Sequence, residues 1–591
     1  MNPEKSSFLI PPRRFEAHGG FFTISPDVKL KLCVEELSPQ FMRFVEDILP
    51  HGCERVEEVS AGYSVTIYKP TVRSFLTRVE SGELEAEEGF VFTIAPDYVT
   101  ADATTREGFW RACAFIKREL MRGVPLPCGE GADAPDKRVR GLMLDVSRNR
   151  SYSISTLFGI VDQMVLLGMN RLELYFENAF AYSEHRRAWT GTSPYTSTDI
   201  HMLSIYCFER GIQLVPNQNT LGHFERWLKH EAYLHHAELP EGGARTPWGS
   251  IQKQPTGLYA ASEATRAFVK ALLEELYDCF RYAESANLGG DEVFDLAEGR
   301  SKGADKATLY LDYMREIATV AEKYEMRPEL WADMLIRHPE MVEKAKEYLP
   351  NARWLVWGYE ATDPLAENVA KLRAAGLDVI VCPGTSSWRS FCGRTSNMLA
   401  NIRAAATVAE TDGLLLTDWG DAGHWQPFTI SMPAIVLAAA QSWRTEAEID
   451  VAAFTDVCLG ERGLGAFLLR LGDTYRTAKA EAGNATKLFQ AYNLPLAEGP
   501  EMDVDALKAA LVELDALAQE PVLQGDSLAV REARYALELQ RLAVLRALKT
   551  PGLQRHRARL AAQMEQLWYA RGPRGLLDAS LEAFLSVELP Q

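Results

Sequence analysis

Two adjacent carboxylates, Asp291 and Glu292, are the residues whose types and setting best suit chemistry. They close the stretch Ser285-Ala-Asn-Leu-Gly-Gly-Asp-Glu-Val293. A short apolar strand pattern there runs into two glycines, which let the backbone turn sharply and let a ligand approach closely. The acids are thereby presented at the C-terminal end of a strand, where a barrel enzyme keeps its catalytic groups. Neighbours on a regular strand point to opposite faces, so two that share one site must lie where the strand is already ending. Taken alone the string leaves its use open, since Asp-Glu pairs also decorate helix N-termini, where the dipole favours them.

The elements that would position this pair are legible on either side of it. Between Arg140 and about Trp443, strand-like and helix-like segments alternate. Strand candidates are 141–146, 171–176, 213–217, 286–290, 329–331, 354–357, 378–382 and 414–418, with helical stretches between them such as 263–281 and 364–375. Roughly eight β/α repeats in about 300 residues match a (β/α)8 barrel. A doubly wound open sheet is the other arrangement, but no strand end carries a glycine-rich phosphate loop. The expected fold class is α/β, a (β/α)8 TIM barrel over residues 137–445. A small N-terminal α+β domain is expected over 1–136 and a C-terminal helical domain over 446–591.

The N-terminal expectation rests on short strand patterns at 21–24, 63–68 and 89–94, followed by a helical stretch at 108–121. The segment 128–137 is rich in turn formers and reads as a linker. After about Thr445 the strand signal fades and helical periodicity takes over, as in 531–548 and 553–568. Those charge-laced helices read as solvated faces packed on the barrel or on a second subunit, which leaves room for a homo-oligomer.

Composition narrows the function. The formal net charge of -18 and a pI near 5.3 argue against a nucleic-acid or anionic-membrane surface and suit a neutral ligand such as a sugar. The nine cysteines are scattered without a CxxC pair, which fits reduced thiols. The first residues carry no apolar core of signal-peptide length and no apolar run would span a bilayer, so the expected location is the cytoplasm. No cluster has metal-ligand spacing, and neither a metal nor a cofactor is expected.

If the barrel is right, the ends of its strands face one cavity. They supply Arg148 after the first strand, Glu177 after the second, His223 after the third and Asp291 with Glu292 after the fourth. The later strands add Trp331, Trp357, Trp388, and Trp419 with Asp421. Aromatic walls with a few charged groups are what a pyranose needs, because its C–H face packs on tryptophan while its hydroxyls pair with charged side chains. The Gly-Gly-Asp-Glu string also resembles the diguanylate cyclase signature, but that fold is much smaller than the β/α series here.

With these residues in hand, the chain resembles the family 20 glycoside hydrolases, the exo-acting β-N-acetylhexosaminidases. The resemblance runs from about Leu9 to Trp443. Glu88-Gly-Phe-Val-Phe-Thr-Ile94 and Thr105-Arg-Glu-Gly-Phe-Trp110 are similar to that family's accessory domain. Arg140-Gly-Leu-Met-Leu-Asp-Val-Ser-Arg148 and Leu288-Gly-Gly-Asp-Glu292 are similar to its most specific motifs. The resemblance implies substrate-assisted retention. Glu292 would protonate the departing glycosidic oxygen and later act as base toward water. The substrate's own acetamide carbonyl would attack C1, giving an oxazolinium-like intermediate, and Asp291 would orient the acetamide N–H and offset its charge. Glu177 and His223 would support the acid from behind. Arg148 would grip the 3- and 4-hydroxyls, Asp421 the outer hydroxyls, and Trp331, Trp357 and Trp419 would wall the pocket.

Two departures from the family pattern carry expectations. The usual paired aspartates after the second strand stand here as Glu177-Asn178, and the aspartate of the third-strand motif as Asn219, so the network behind Glu292 would carry less negative charge. The tyrosine usual after the seventh strand is replaced near that place by Trp388, whose indole N–H would donate to the acetamide carbonyl instead. The implied substrate is a glycan or glycoconjugate ending in β-linked GlcNAc or GalNAc. A catalytically inactive sugar-binding or scaffolding barrel, and another retaining glycosidase on the same barrel, are the competing readings.

Overall fold

The computed structural model describes residues 8–25, 28–33, 55–58, 63–69 and 87–590. The chain first forms a sheet of seven strands, β1 (Arg14–Phe22), β2 (Lys29–Cys33), β3 (Arg55–Glu58), β4 (Tyr63–Tyr68), β5 (Phe90–Ala95), β6 (Tyr98–Ala103) and β7 (Leu126–Asp133). Their order is β1-β7-β5-β6-β4-β2-β3. The helix α1 (Arg106–Met121) packs on β4, β5 and β6. It starts where Thr105 Oγ1 accepts the Gly108 N–H at 2.9 Å, satisfying one of the helix's orphan donors.

Two elements of this domain differ from expectation. The stretch 128–137, expected as a linker, is mostly the interior strand β7, paired antiparallel with β1 and β5. Its glycines serve packing, not turning. A Cβ on Gly129 would lie 2.7 Å from the Phe15 ring, and one on Gly131 2.3 Å from the Phe92 ring, so glycine is what lets the two rings cross the sheet. The first strand runs from Arg14 to Phe22, ahead of the expected 21–24, and its register shifts between Ala17 and Phe21. Gly19 and Gly20, with φ of +78° and +89°, form that irregularity and hide the alternation.

A closed barrel follows, made of β8 (Val139–Asp145), β9 (Arg171–Phe176), β10 (Gln213–Gln218), β13 (Ser285–Asn287), β14 (Arg327–Trp331), β15 (Arg353–Trp357), β16 (Asp378–Cys382) and β17 (Gly413–Asp418). Every neighbouring pair is parallel, and β17 closes on β8. Between β10 and β13 lies a short hairpin of β11 (Ala244–Arg245) and β12 (Ile251–Gln252). The alternation of β9 shows how sequence sets the two faces. Leu172, Leu174 and Phe176 join the apolar layer under the outer helices. Tyr175 joins a separate inner cluster with Trp331, Tyr359, Trp388 and Trp419.

Deeper in the barrel the inward positions are charged. Arg171 donates to Glu173 at 2.6 Å and to Glu329 at 3.0 Å. Arg353 approaches Glu329 at 3.3 Å, while Asn217 and Asn287 donate to the second Glu173 oxygen at 3.1 and 3.3 Å. Outside, Glu88 ties the N-terminal sheet to the barrel by pairing with Arg140 at 2.6 Å and Arg111 at 2.7 Å. Burial pushes the Glu88 carboxyl up, but the two guanidiniums outweigh it and hold it at about 2.

Past Thr445 the described chain is helical apart from a hairpin, β18 (Glu481–Ala482) and β19 (Ala485–Thr486). The helices expected at 531–548 and 553–568 span Leu528–Ala547 and Gln554–Arg571. They share an apolar core with Phe391 and Trp425 from the barrel's later loops. Among the described residues no helix is long and apolar enough to cross a membrane.

The charged barrel layer gives a test of stability. Arg171→Met leaves Glu173 and Glu329 without their shared cation, which should cost about 3–5 kcal/mol in urea unfolding; an unshifted midpoint would remove the layer from the account.

Candidate active site

The fourth barrel strand is only three residues long, shorter than expected, because the chain leaves extended geometry at once. Gly289 and Gly290 have φ of +69° and +82°, and Glu292 itself sits at +51°. The left-handed region suits glycine and burdens other residues. Space makes the same demand: a Cβ on Gly289 would lie 2.1 Å from Asn219 Oδ1, and one on Gly290 2.8 Å from the Tyr310 hydroxyl. The turn lets both acids face one cavity. The Asp333 carboxylate secures it by accepting the Glu292 backbone N–H at 3.1 Å.

Nine of the ten residues singled out from sequence line that cavity: Arg148, His223, Asp291, Glu292, Trp331, Trp357, Trp388, Trp419 and Asp421. Glu177 lies elsewhere. Its oxygens face Arg148 at 3.4 Å and Arg226 at 3.2 Å, and the Tyr175 hydroxyl donates to it at 3.2 Å. It therefore meets the arginines and not the acid, behind which the family resemblance had put it. Asn219, at the position where fewer negative charges were expected, donates to the Tyr175 hydroxyl at 2.9 Å.

The electrostatics around the acid pair are set by His223. Its Nε2 lies 3.3 Å from Asp291 Oδ2 and 3.7 Å from Glu292 Oε2. Burial pulls the imidazole down, but Asp291 outweighs it and holds the group at about 10, so it is a cation at neutral pH. Glu292 is pushed up from the usual carboxylate range by burial, with Asp291 adding to the effect and His223 opposing it. Asp333 is pushed up to about 7 by burial and by Asp291. The other Asp291 oxygen, Oδ1, is buried and has no hydrogen-bond partner.

Arg148 is fixed by Asp145, which receives it at 2.8 Å and also accepts the Gly420 N–H at 2.9 Å. Its guanidinium lies over the rings of Tyr175 and Trp419 at 5.2 and 5.0 Å and approaches Asp421 at 3.6 Å. Held so, its fork is aimed and its partner rings keep it partly dry.

The aromatic wall contains a residue that sequence reading passed over. Tyr359, two positions past Trp357, stacks on Trp357 at 5.2 Å and meets Trp388 edge-on at 5.1 Å. Its oxygen accepts the Trp419 indole N–H at 2.9 Å, which leaves its own O–H to donate. The Trp388 indole N–H, expected to serve the ligand, instead donates to Asn484 Oδ1 at 2.9 Å. Asn484 joins β18 and β19 and lines the cavity. A tyrosine among strand-end tryptophans was visible in Trp357-Gly-Tyr359, whereas nothing local to Asn484 points to the site. Among the described residues no cluster of His, Cys, Asp and Glu is arranged to hold a metal.

An acid at the C-terminal rim of a parallel barrel, a second acid beside it and an aromatic box define a glycoside hydrolase. Residues 138–431 match the description "Glycosyl hydrolase family 20, catalytic domain", and the chain belongs to that family, the family of the β-N-acetylhexosaminidases. Hexosaminidase D of Bos taurus is 25% identical over 291 residues, covering 45% of this chain and 80% of the relative. Hexosaminidase D of Homo sapiens is 26% identical over 314 residues, covering 49% of this chain and 61% of the relative, so the match spans less than two thirds of the human protein. In fold the chain is similar to the Flavobacterium johnsoniae chitobiase, with a TM-score of 0.60, 16% identity, and coverage of 98% of this chain and 93% of that one.

The His223 pairing should show in stability. A folded value of about 10 against an ordinary 6.5 means that its contribution is complete below about pH 6.5 and lost as the pH rises through about 10. The melting-temperature gap between wild type and His223→Leu should therefore be widest near pH 6 and close by pH 10; a gap that widens with pH would refute the cationic assignment.

Proposed function

We propose that the protein is an exo-β-N-acetylhexosaminidase that removes terminal β-linked GlcNAc or GalNAc with retention, using the substrate's acetamide as nucleophile. The observation that carries this reading is the divided Asp291 carboxylate. One oxygen is committed to the His223 imidazolium, and the other is buried without a partner on a residue that lines the cavity. A buried unpaired acceptor is costly unless a ligand donor completes it, and an acetamide N–H is such a donor. Asp291 would thereby orient the amide and offset the positive charge that grows on it as its carbonyl oxygen attacks C1.

Glu292, whose carboxyl is pushed up by burial, gives its proton to the departing oxygen. Tyr359 takes the part first assigned to Trp388: its hydroxyl, held between the Trp419 N–H and Thr417, donates to the acetamide carbonyl and fixes its line of attack. Arg148 and Asp421 hold the hydroxyls at the far side of the ring. On the leaving side stands Trp248, 62% exposed at the tip of the β11–β12 hairpin. Its ring meets Phe294, two residues past Glu292, edge-on at 5.3 Å, and the Arg337 guanidinium lies 5.1 Å from the same Phe294 ring. An exposed indole beside the acid suits stacking on a further sugar, so the departing group is itself a glycan.

Side-by-side turnover of 4-nitrophenyl β-glycosides of GlcNAc, GalNAc and glucose tests the reading. The N-acetylated sugars should react and the glucoside should not; comparable turnover of glucoside would replace it with a two-carboxylate hydrolase. On a disaccharide, whose alkoxide must be protonated to leave, Glu292→Gln should lose roughly 10²–10⁴-fold. Tyr359→Phe should lower kcat by about 10²-fold while Trp388→Phe retains a donor; the reverse ranking would return the role to the indole.

A further inference from the structure

The residues that match the family's catalytic domain end at 431, yet one side chain lining the sugar pocket comes from beyond them. Asn484 occupies the turn of the β18–β19 hairpin. Its backbone is left-handed, with φ of +51°, a region that asparagine tolerates better than most residues. The turn is held from the barrel side. Glu360 accepts the Asn484 N–H at 2.7 Å and pairs with Arg394 at 2.8 Å, and Arg394 donates to the Ala482 carbonyl at 3.2 Å. On the other strand the Thr486 N–H donates to the Arg389 carbonyl at 3.0 Å. A fixed backbone thus presents Asn484 to the cavity.

The side chain is oriented as well. An indole N–H only donates, so the atom that the Trp388 indole meets at 2.9 Å is the Asn484 amide oxygen, and the amide nitrogen is the end left over. Neither of its two N–H groups has a hydrogen-bond partner among the described residues. An open donor pair on a residue that lines a sugar pocket suits a hydroxyl oxygen. Which hydroxyl follows from the parts already taken. Apart from the tryptophans, every other side chain of the cavity serves the acid pair, the acetamide or the hydroxyls at the far side of the ring. The substituent left without a partner is the hydroxymethyl group on C5. Depth agrees, since Tyr359 and Trp388 are buried while Asn484 is only half-buried, and a 6-hydroxyl on its exocyclic carbon reaches outward from the ring.

We infer that Asn484 is a substrate-binding residue whose amide N–H donates to the 6-hydroxyl oxygen of the terminal N-acetylhexosamine, so that the C-terminal region completes the pocket. The inference rests on the function proposed above.

The test uses the full chain and the 4-nitrophenyl β-glycoside of whichever N-acetylated sugar turns over faster, with its 6-deoxy and 6-amino-6-deoxy analogues, the last an ammonium near neutral pH. Wild type should lose about 10-fold in kcat/KM when the 6-hydroxyl is removed. Asn484→Gly, which suits the left-handed turn, should lower turnover of the parent sugar and bring it within about 2-fold of the 6-deoxy sugar. A role confined to holding Trp388 would lower both alike and keep the wild-type ratio. Asn484→Asp keeps an oxygen for the Trp388 indole and puts a carboxylate in place of the donor, so it should raise the 6-amino sugar relative to the parent by about 10-fold over the wild-type ratio. No loss on the 6-deoxy sugar by wild type, an unchanged 6-deoxy ratio in Asn484→Gly, or an unchanged 6-amino ratio in Asn484→Asp would overturn the inference. Silence on both N-acetylated sugars from folded wild type would instead overturn the function on which it rests.

Discussion

Two neighbouring residues can act on one ligand only if the strand that carries them stops being a strand. That constraint is met between Asn287 and Glu292, where three residues adopt left-handed backbone within four positions. A non-glycine residue held at φ of +51° is unfavourable in isolation and persists where the surroundings fix it. The surroundings here are specific. Asp333 grips the Glu292 N–H, the Tyr310 hydroxyl donates to the Gly290 carbonyl at 3.0 Å, and Thr220 donates to the Leu288 carbonyl at 2.7 Å. Contacts from the third strand's loop and from two other elements thus converge on one turn.

The same convergence sets the charges. Asp291, Glu292 and Asp333 lie together in a buried place where three ionised carboxylates would repel, and His223 is the cation nearest the first two. Asp333 is held up at about 7, so near neutrality it shares the burden by taking a proton for part of the time. Arg148 is kept apart from this group by its own acid, Asp145, and by Glu177. The site is therefore two electrostatic halves, the acid pair with His223 and Asp333 on one side and Arg148 with its carboxylates on the other, each neutralised locally.

The barrel strands were legible because parallel strands buried on both faces read as short apolar runs between turn formers, and β9 and β16 keep their expected bounds. The acid pair, Arg148 and the tryptophans were legible because strand ends in a barrel share one rim. What failed did so for identifiable reasons. Gly129 and Gly131 signal turns in a one-dimensional reading, yet they lie in β7 because aromatic rings from β1 and β5 need the room. Glu177 was placed behind the acid by the family resemblance, which gives a position but not a partner; which guanidinium a carboxylate meets depends on rotamers. Tyr359 needed only attention to the residue two past Trp357. Asn484 was out of reach, since its partner Trp388 lies 96 positions away.

The bond from Trp388 to Asn484 changes what the C-terminal region is for. Read from sequence its helices pack on the barrel, and they do, but their contacts fall on the parts of the rim that line the cavity. Glu532, fully buried on the helix Leu528–Ala547, accepts the Thr429 N–H at 3.2 Å and pairs with Arg571 at 2.8 Å. Ser431, two residues on, donates to Asp418 at the end of β17 at 2.7 Å. The loop that carries Asp421 is thus tied down on the barrel side by Asp418 and on the helical side by Glu532. Asn484 does the same for Trp388, and its own N–H is held by Glu360 at 2.7 Å. A side chain that must meet a sugar hydroxyl within a few tenths of an ångström gains from being held by two bodies. The barrel supplies the acids, and the helical region fixes the walls against which they work.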